Sequence, residues 1–161
     1  MESGKQPIDG IDKAILRALL EDGRQTHNEL SARAPLSPTA CARRVKRMED
    51  QGIISQYTVT LDAGRLGFGS TVVVHISLER QSEDGLEAFE RAIARCPSVI
   101  SCFLMSGTDD YLVTVAVRDI EDFERVHKQE LSRLPGVARM QSSFALREIV
   151  RRPVPLSALA P

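Results

Sequence analysis

Along the first sixty residues, apolar positions recur at helical intervals. In "IDGIDKAILRALLEDG", residues 8–23, Ile8, Ile11, Ile15 and Leu19 form one stripe, Leu16 and Leu20 widen it, and Gly23 is a natural stop. Thr26 and Glu29 have the spacing of a capping box, in which hydroxyl and carboxylate each accept a backbone N–H at the start of a helix. This second helix is short, because "APLSP" interrupts it at 34–38. Ser37 followed by Pro38 opens a third: the serine caps free amides, and proline at the first position has no amide to leave unpaired. The third helix runs to Gln51, where Gly52 suits a left-handed stop and Ile53 is expected to pack back on Met48. Three helices, the last two joined by a tight turn, describe a helix-turn-helix domain over residues 1–55.

Beyond it the period changes. "QYTVTLDAGRLGFGS" opens as a strand, with Tyr57, Val59 and Leu61 alternating against threonines. It closes with Gly64, Gly67 and Gly69, a density that marks a hinge over 56–69. "TVVVHISLE" then places Val72, Val74, Ile76 and Leu78 on one face of a strand, and "EDGLEAFERAIARC" is helical with Leu86, Phe89 and Ile93 in a stripe. "SVISCFLM" and "YLVTVAV" are strands, "IEDFERVHKQEL" is a helix, and "GVARMQSSFALREIV" is a long closing strand. "FER" recurs at 89–91 and 123–125, and a Pro-x-Val follows each helix. Two such halves make a ferredoxin-like βαββαβ sandwich over 70–150, with both helices on one face of an antiparallel sheet, so the chain is α+β. The middle strands are apolar at odd and even positions alike, so the second face also needs cover, and a second subunit is the simplest one. Residues 151–161, ending "PVPLSALAP", read as a loose tail.

Charge changes the picture only locally. The chain of 161 residues carries 21 Lys and Arg against 22 Asp and Glu, and residues 1–64 hold nine of each sign, so neither half is basic. Yet "CARRVKRMED" packs Arg43, Arg44, Lys46 and Arg47 into five consecutive positions. At about 100° per residue, Cys41, Val45 and Met48 face the core. Thr39, Ala40, Arg43 and Arg47 point the other way, with Arg44 and Lys46 on the flanks. A charged run is ordinarily a solvated face. Here it follows a capping box, a short turn and a Ser-Pro start, which favours a recognition helix: small side chains where it enters the major groove, arginine where it reads guanine or grips phosphate. The expected double-stranded DNA surface is Ser37, Pro38, Thr39, Ala40, Arg43, Arg44, Lys46 and Arg47. Arg43 and Arg47 are expected to contribute to binding, Arg43 as the candidate base contact, and Arg44 and Lys46 at phosphates.

A composition 42% hydrophobic and 27% charged is compatible with a packed core. No apolar run is long enough for a bilayer, and "MESGKQPIDG" has no leader core or lipidation motif, so a cytoplasmic protein without a membrane partner is expected. Cys41, Cys96 and Cys102 are odd in number and lack C-x-x-C spacing, and His27, His75 and His127 lie far apart. No disulfide framework, metal, cofactor or catalytic constellation follows from them.

The residues "IDKAILRALLEDGR", "LSPTACARRVKRMEDQGII", "YLVTVAV" after a Gly-Asp loop, and "LPGV" resemble the Lrp/AsnC family of transcriptional regulators over residues 8–150. The resemblance implies a winged-helix-like DNA-binding domain, a ferredoxin-like effector-binding domain, and dimers that often assemble into octamers. It also implies an amino-acid effector at the loop between the middle strands and the facing part of the last strand. Those positions are Gly107, Thr108, Asp109, Asp110 and Tyr111, with Gln141, Ser142 and Ser143. Gly107, Asp110 and Tyr111 fit the family's loop, whereas Thr108 stands for an acid and Asp109 for an aromatic residue. Asp110 is the expected partner of the effector's ammonium, with hydroxyls from Ser142 and Ser143 and close backbone approach at Gly107. An ordinary hairpin turn is the other reading of this loop. Sirohaem decarboxylases resemble the same architecture, but for that enzymatic alternative only His75 and Arg139 are candidates, and the basic helix would have no purpose.

Overall fold

The computed structural model describes residues 7–160; residues 1–6, part of the stretch read for a leader, and Pro161 lie outside it. The chain forms two compact units, one from the residues up to Thr60 together with those from Val150 onward, the other Leu61–Ile149.

In the first unit, α1 (Gly10–Glu21), α2 (His27–Arg33) and α3 (Pro38–Asp50) pack around Ile15, Ala18, Leu30, Ala34, Cys41, Val45 and Met48. The Thr26–Glu29 capping box forms as its spacing requires, with the Thr26 N–H 2.7 Å from the Glu29 carboxylate. Ser37 caps α3 through the Ala40 N–H, and Pro38 occupies the first turn. At the far end Gly52 takes φ +70°, while its N–H reaches the Glu49 carbonyl and the Ile53 N–H the Met48 carbonyl, the two bonds of a Schellman ending. The expected packing of Ile53 is not seen: Ile53 is exposed, and Ile54 packs on the core instead.

Two further expectations fail here. Residues 56–61 form no strand, and Tyr57, Val59 and Leu61 are exposed, because alternation needs a neighbouring strand to bond and none lies within reach in this chain among the described residues. Nor is the tail loose. It ends in a 3-10 turn, Leu156–Leu159, held on α1 by Lys13 Nζ donating to the Ala160 carbonyl (2.7 Å) and Arg17 to that of Leu159. The last carbonyls of a helical turn lack internal partners, and cations are their natural complement.

The second unit is a four-stranded antiparallel sheet in the order β2-β3-β1-β4: β1 Ser70–Leu78, β2 Val99–Leu104, β3 Tyr111–Val117 and β4 Val137–Ala145. Helices α4 (Glu83–Ile93) and α5 (Ile120–Gln129) follow β1 and β3, giving the ferredoxin-like order. One face carries Val72, Val74, Ile76, Tyr111, Val113, Val115 and Val117, all buried with Phe89, Ile93 and Val126 of the helices. The opposite face presents Val73, His75, Ser77, Leu112, Thr114, Gln141 and Ser143, and its β1 and β3 residues are only half-buried. In the hinge, Gly67 adopts φ +90° beside a turn closed by the Phe68 N–H on the Ala63 carbonyl.

Candidate DNA interface and effector loop

Helix α3 presents Ser37, Pro38, Thr39 and Arg43 to solvent, with Ala40 half-buried between them. Arg43 has no hydrogen-bond or ion-pair partner among the described residues. Lys46 is exposed and pairs with Asp50 one turn on, at 2.6 Å. An exposed pair of this kind contributes little and exchanges readily for another anion.

Arg47 departs from expectation. It does not stand on the open face beside Arg43; its side chain is 23% exposed and its guanidinium reaches Asp12, a carboxylate with no exposed surface. Arg44 joins the same cluster, donating to Asp12 at 2.9 Å and to Asp9 at 2.7 Å. Asp9 and Asp12 are the reciprocal caps of α1, each accepting the other's backbone N–H. The Asp12 N–H and then Arg44 draw the Asp9 carboxyl down to about 2. The bonds to Asp9 and Asp12 in turn hold the Arg44 guanidinium above its ordinary range. Four charges thus cancel between the start of α1 and the middle of α3. Sequence reasoning missed this cluster. The signal was there: Asp12 falls inside the apolar stripe of α1, three positions before Ile15, where an unpaired charge is not tolerated.

The loop between β2 and β3 runs from Ser106 to Asp110 and is closed by the Met105 N–H on the Asp110 carbonyl at 2.8 Å. Gly107 and Thr108 are exposed, and nothing lies within 4 Å of the place a Cβ on Gly107 would take. Asp110 is buried with both carboxylate oxygens engaged, one by the Leu78 N–H (2.7 Å) and the other by Gln81 Nε2 (2.6 Å). It ties the end of β1 to the approach of α4, so the acid expected to take an ammonium is already filled by the protein. Tyr111 points into the core, stacked on Phe89 with centroids 4.3 Å apart, and its hydroxyl donates to Glu90. Burial and Glu90 push that phenol up, so it remains a donor.

Asp109 lies on the opposite face. His75 Nδ1 is 3.0 Å from one oxygen, while Ser77 Oγ and Arg139 approach the other at 3.3 Å each. Desolvation opposes its charge, yet the bonds from His75, Arg139 and Ser77 outweigh it and hold the carboxyl below its ordinary value. The pleat separates the expected β4 contributors. Gln141 and Ser143 pair with His75 and Val73 on this face, but Ser142 pairs with Val74 on the helix face. His75 and Arg139, the residues an enzymatic cleft would have used, are both spent on Asp109.

A helix-turn-helix unit with an open, partly cationic third helix, followed by a ferredoxin-like sandwich, is the build of a one-chain DNA-binding regulator. Residues 8–55 match the winged helix-turn-helix DNA-binding profile, and residues 71–155 match the Lrp/AsnC ligand binding domain. The chain belongs to the Lrp/AsnC family of transcriptional regulators, which are not enzymes. It is 40% identical over 148 residues to the Bkd operon transcriptional regulator of Pseudomonas aeruginosa, covering 92% of this chain and 97% of that one. The leucine-responsive regulatory protein of Escherichia coli is 38% identical over 152 residues, 92% of this chain and 93% of its own. Among solved structures, an L-Met complex of a transcriptional regulator from Neisseria meningitidis superposes with TM-score 0.88 at 37% identity, covering 96% of this chain and 100% of that one. No helix among the described residues is long and apolar enough to cross a membrane.

Proposed function

We propose that this regulator reads its operator through the start and exposed face of α3, from Ser37 to Arg43, with Arg44, Lys46 and Arg47 behind it. An amino acid bound at the loop 106–111 and at Gln141 and Ser143 of β4 adjusts that binding. The carrying observation is Arg43, a cation without a partner on a helix whose first turn is small and open. Of the two loop acids, Asp109 is the better partner for an effector ammonium, because its side chain is 21% exposed on the open face of the sheet whereas Asp110 is buried and held by Leu78 and Gln81. Loop amides near Gly107 and the Ser143 hydroxyl suit the effector's carboxylate. Methionine is the first ligand to try, since the Neisseria protein and a feast or famine regulatory protein of Mycobacterium tuberculosis were both solved with it.

The working unit is a homodimer that covers the second sheet face, with octamers as the larger assembly, acting in the cytoplasm. An effector changes DNA binding only through unequal affinity for two states, so it acts on assembly or subunit orientation. The test combines thermal-shift screening against the twenty amino acids with mobility shifts on DNA selected by the chain from a random library. Arg43→Ala is expected to weaken the selected complex by about 1–3 kcal/mol if it contacts a base bidentately. Unaltered binding by Arg43→Ala would remove α3 as the reading surface.

A further inference from the structure

The ion cluster beneath α3 divides its cations into two kinds. Asp12 is fully buried and accepts from Arg44, from Arg47 and from the Asp9 N–H; Asp9 accepts from Arg44 and from the Asp12 N–H. Both acids sit at the first turn of α1, whose unpaired amides they also cap, so neither can leave without exposing the helix start. Two arginines held this way have most of their surface covered and their charge cancelled. Arg43 has neither partner nor cover.

We infer that Asp12 is a positioning residue for DNA recognition: it commits Arg44 and Arg47 to the protein, fixes the setting of α3 on α1, and leaves Arg43 to face the DNA. The inference rests on the reading of α3 as the recognition helix. Its physical logic concerns specificity. A free arginine beside a duplex finds phosphate on any sequence, whereas one already neutralised does not. Removing two mobile cations from the groove face lowers sequence-independent attraction, and anchoring the helix at its middle holds Thr39, Ala40 and Arg43 at one distance from the base edges.

Salt dependence separates a committed arginine from a phosphate contact, because each phosphate neutralised adds about 0.9 to the slope of log affinity against log salt. The measurement is fluorescence anisotropy of the full chain over a salt series. It uses a duplex the wild-type chain selects from a random library and a scrambled duplex of equal length. R44Q and R47Q are expected to leave the slope unchanged while lowering the ratio of selected to scrambled affinity several-fold. D12N is expected to do the opposite to the slope, steepening it by up to about two phosphates per subunit and tightening the scrambled complex. If D12N does not fold, R44Q and R47Q decide the matter. A slope flattened by about one phosphate per subunit in each overturns the inference, and so does an unchanged slope with an unchanged ratio. R43Q tells the two readings apart. If it changes neither affinity nor ratio, the recognition helix itself is wrong; if it weakens the selected complex while R44Q and R47Q flatten the slope, only the role of Asp12 falls.

Discussion

At the residue scale, two aspartates adjacent in the loop before β3 do different work because their carboxylates bond to different partners, Asp110 to the Leu78 N–H and Gln81, Asp109 to His75, Ser77 and Arg139. Asp110 faces the core side and closes it; Asp109 faces the open side of the sheet. Asp110→Ala should leave the Leu78 N–H and Gln81 without an acceptor and cost about 1–3 kcal/mol in urea unfolding. Asp109→Asn should leave unfolding nearly unchanged and abolish amino-acid binding in calorimetry. Retained binding in that variant would return the ammonium site to another group. Acid stability carries its own signature. The folded Asp9 carboxyl lies near 2 against an ordinary 3.8, so its contribution is present above 3.8 and is lost as pH falls through about 2. Asp9→Asn should flatten that acid limb in thermal melts at stepped pH. Thr108, by contrast, is exposed and makes no side-chain hydrogen bond among the described residues.

At the element scale, α3 depends on how it starts and stops. Removing the Ser37 hydroxyl frees an amide at the turn proposed to enter the groove, and Ser37→Ala should cost about 0.5–2 kcal/mol while weakening DNA binding through fraying. Gly52 at φ +70° ends the helix, and Gly52→Ala should cost about 1–2 kcal/mol, readable in the same denaturation series. These signals were legible because capping is local: the hydroxyl, the proline and the glycine act on amides and carbonyls a few residues away. The strand expected at 56–61 was a misreading of the same kind of signal. Alternation describes two faces, but a strand also needs a neighbour to bond, and that neighbour is not local. The tail shows the converse. "PVPLSALAP" has no strong period, yet Lys13 and Arg17 of α1 hold its last carbonyls.

At the scale of the whole molecule, the sheet has one face under two helices and one face bare. The bare face mixes Val73 and Leu112 with His75, Ser77 and the Asp109 cluster, a composition suited to a subunit interface with a polar centre. Sedimentation at micromolar concentration should therefore show dimers or larger assemblies, and a native monomer would defeat the proposal. A two-fold dimer carries two α3 helices, so the selected DNA should contain inverted half-sites with centres about 34–36 Å apart or a multiple of that.

By itself the sequence determined the succession of elements: three helices, the second and third with legible caps, a glycine-rich bend, then strand, helix, strand, strand, helix, strand. Periodicity and caps operate over a turn or two of chain, and short connections leave few ways to arrange such a succession. Only the tertiary structure decided which charges are spent. Asp12 meets Arg44 and Arg47 across 32 and 35 residues, and Asp109 meets His75 and Arg139 across 34 and 30. A helical wheel ranks Arg43 and Arg47 alike, because it records the angle around one helix and not what the neighbouring helix presents there. The buried carboxylate of α1 breaks that equivalence, since a charge without water must take its counter-ion from whichever element is packed against it.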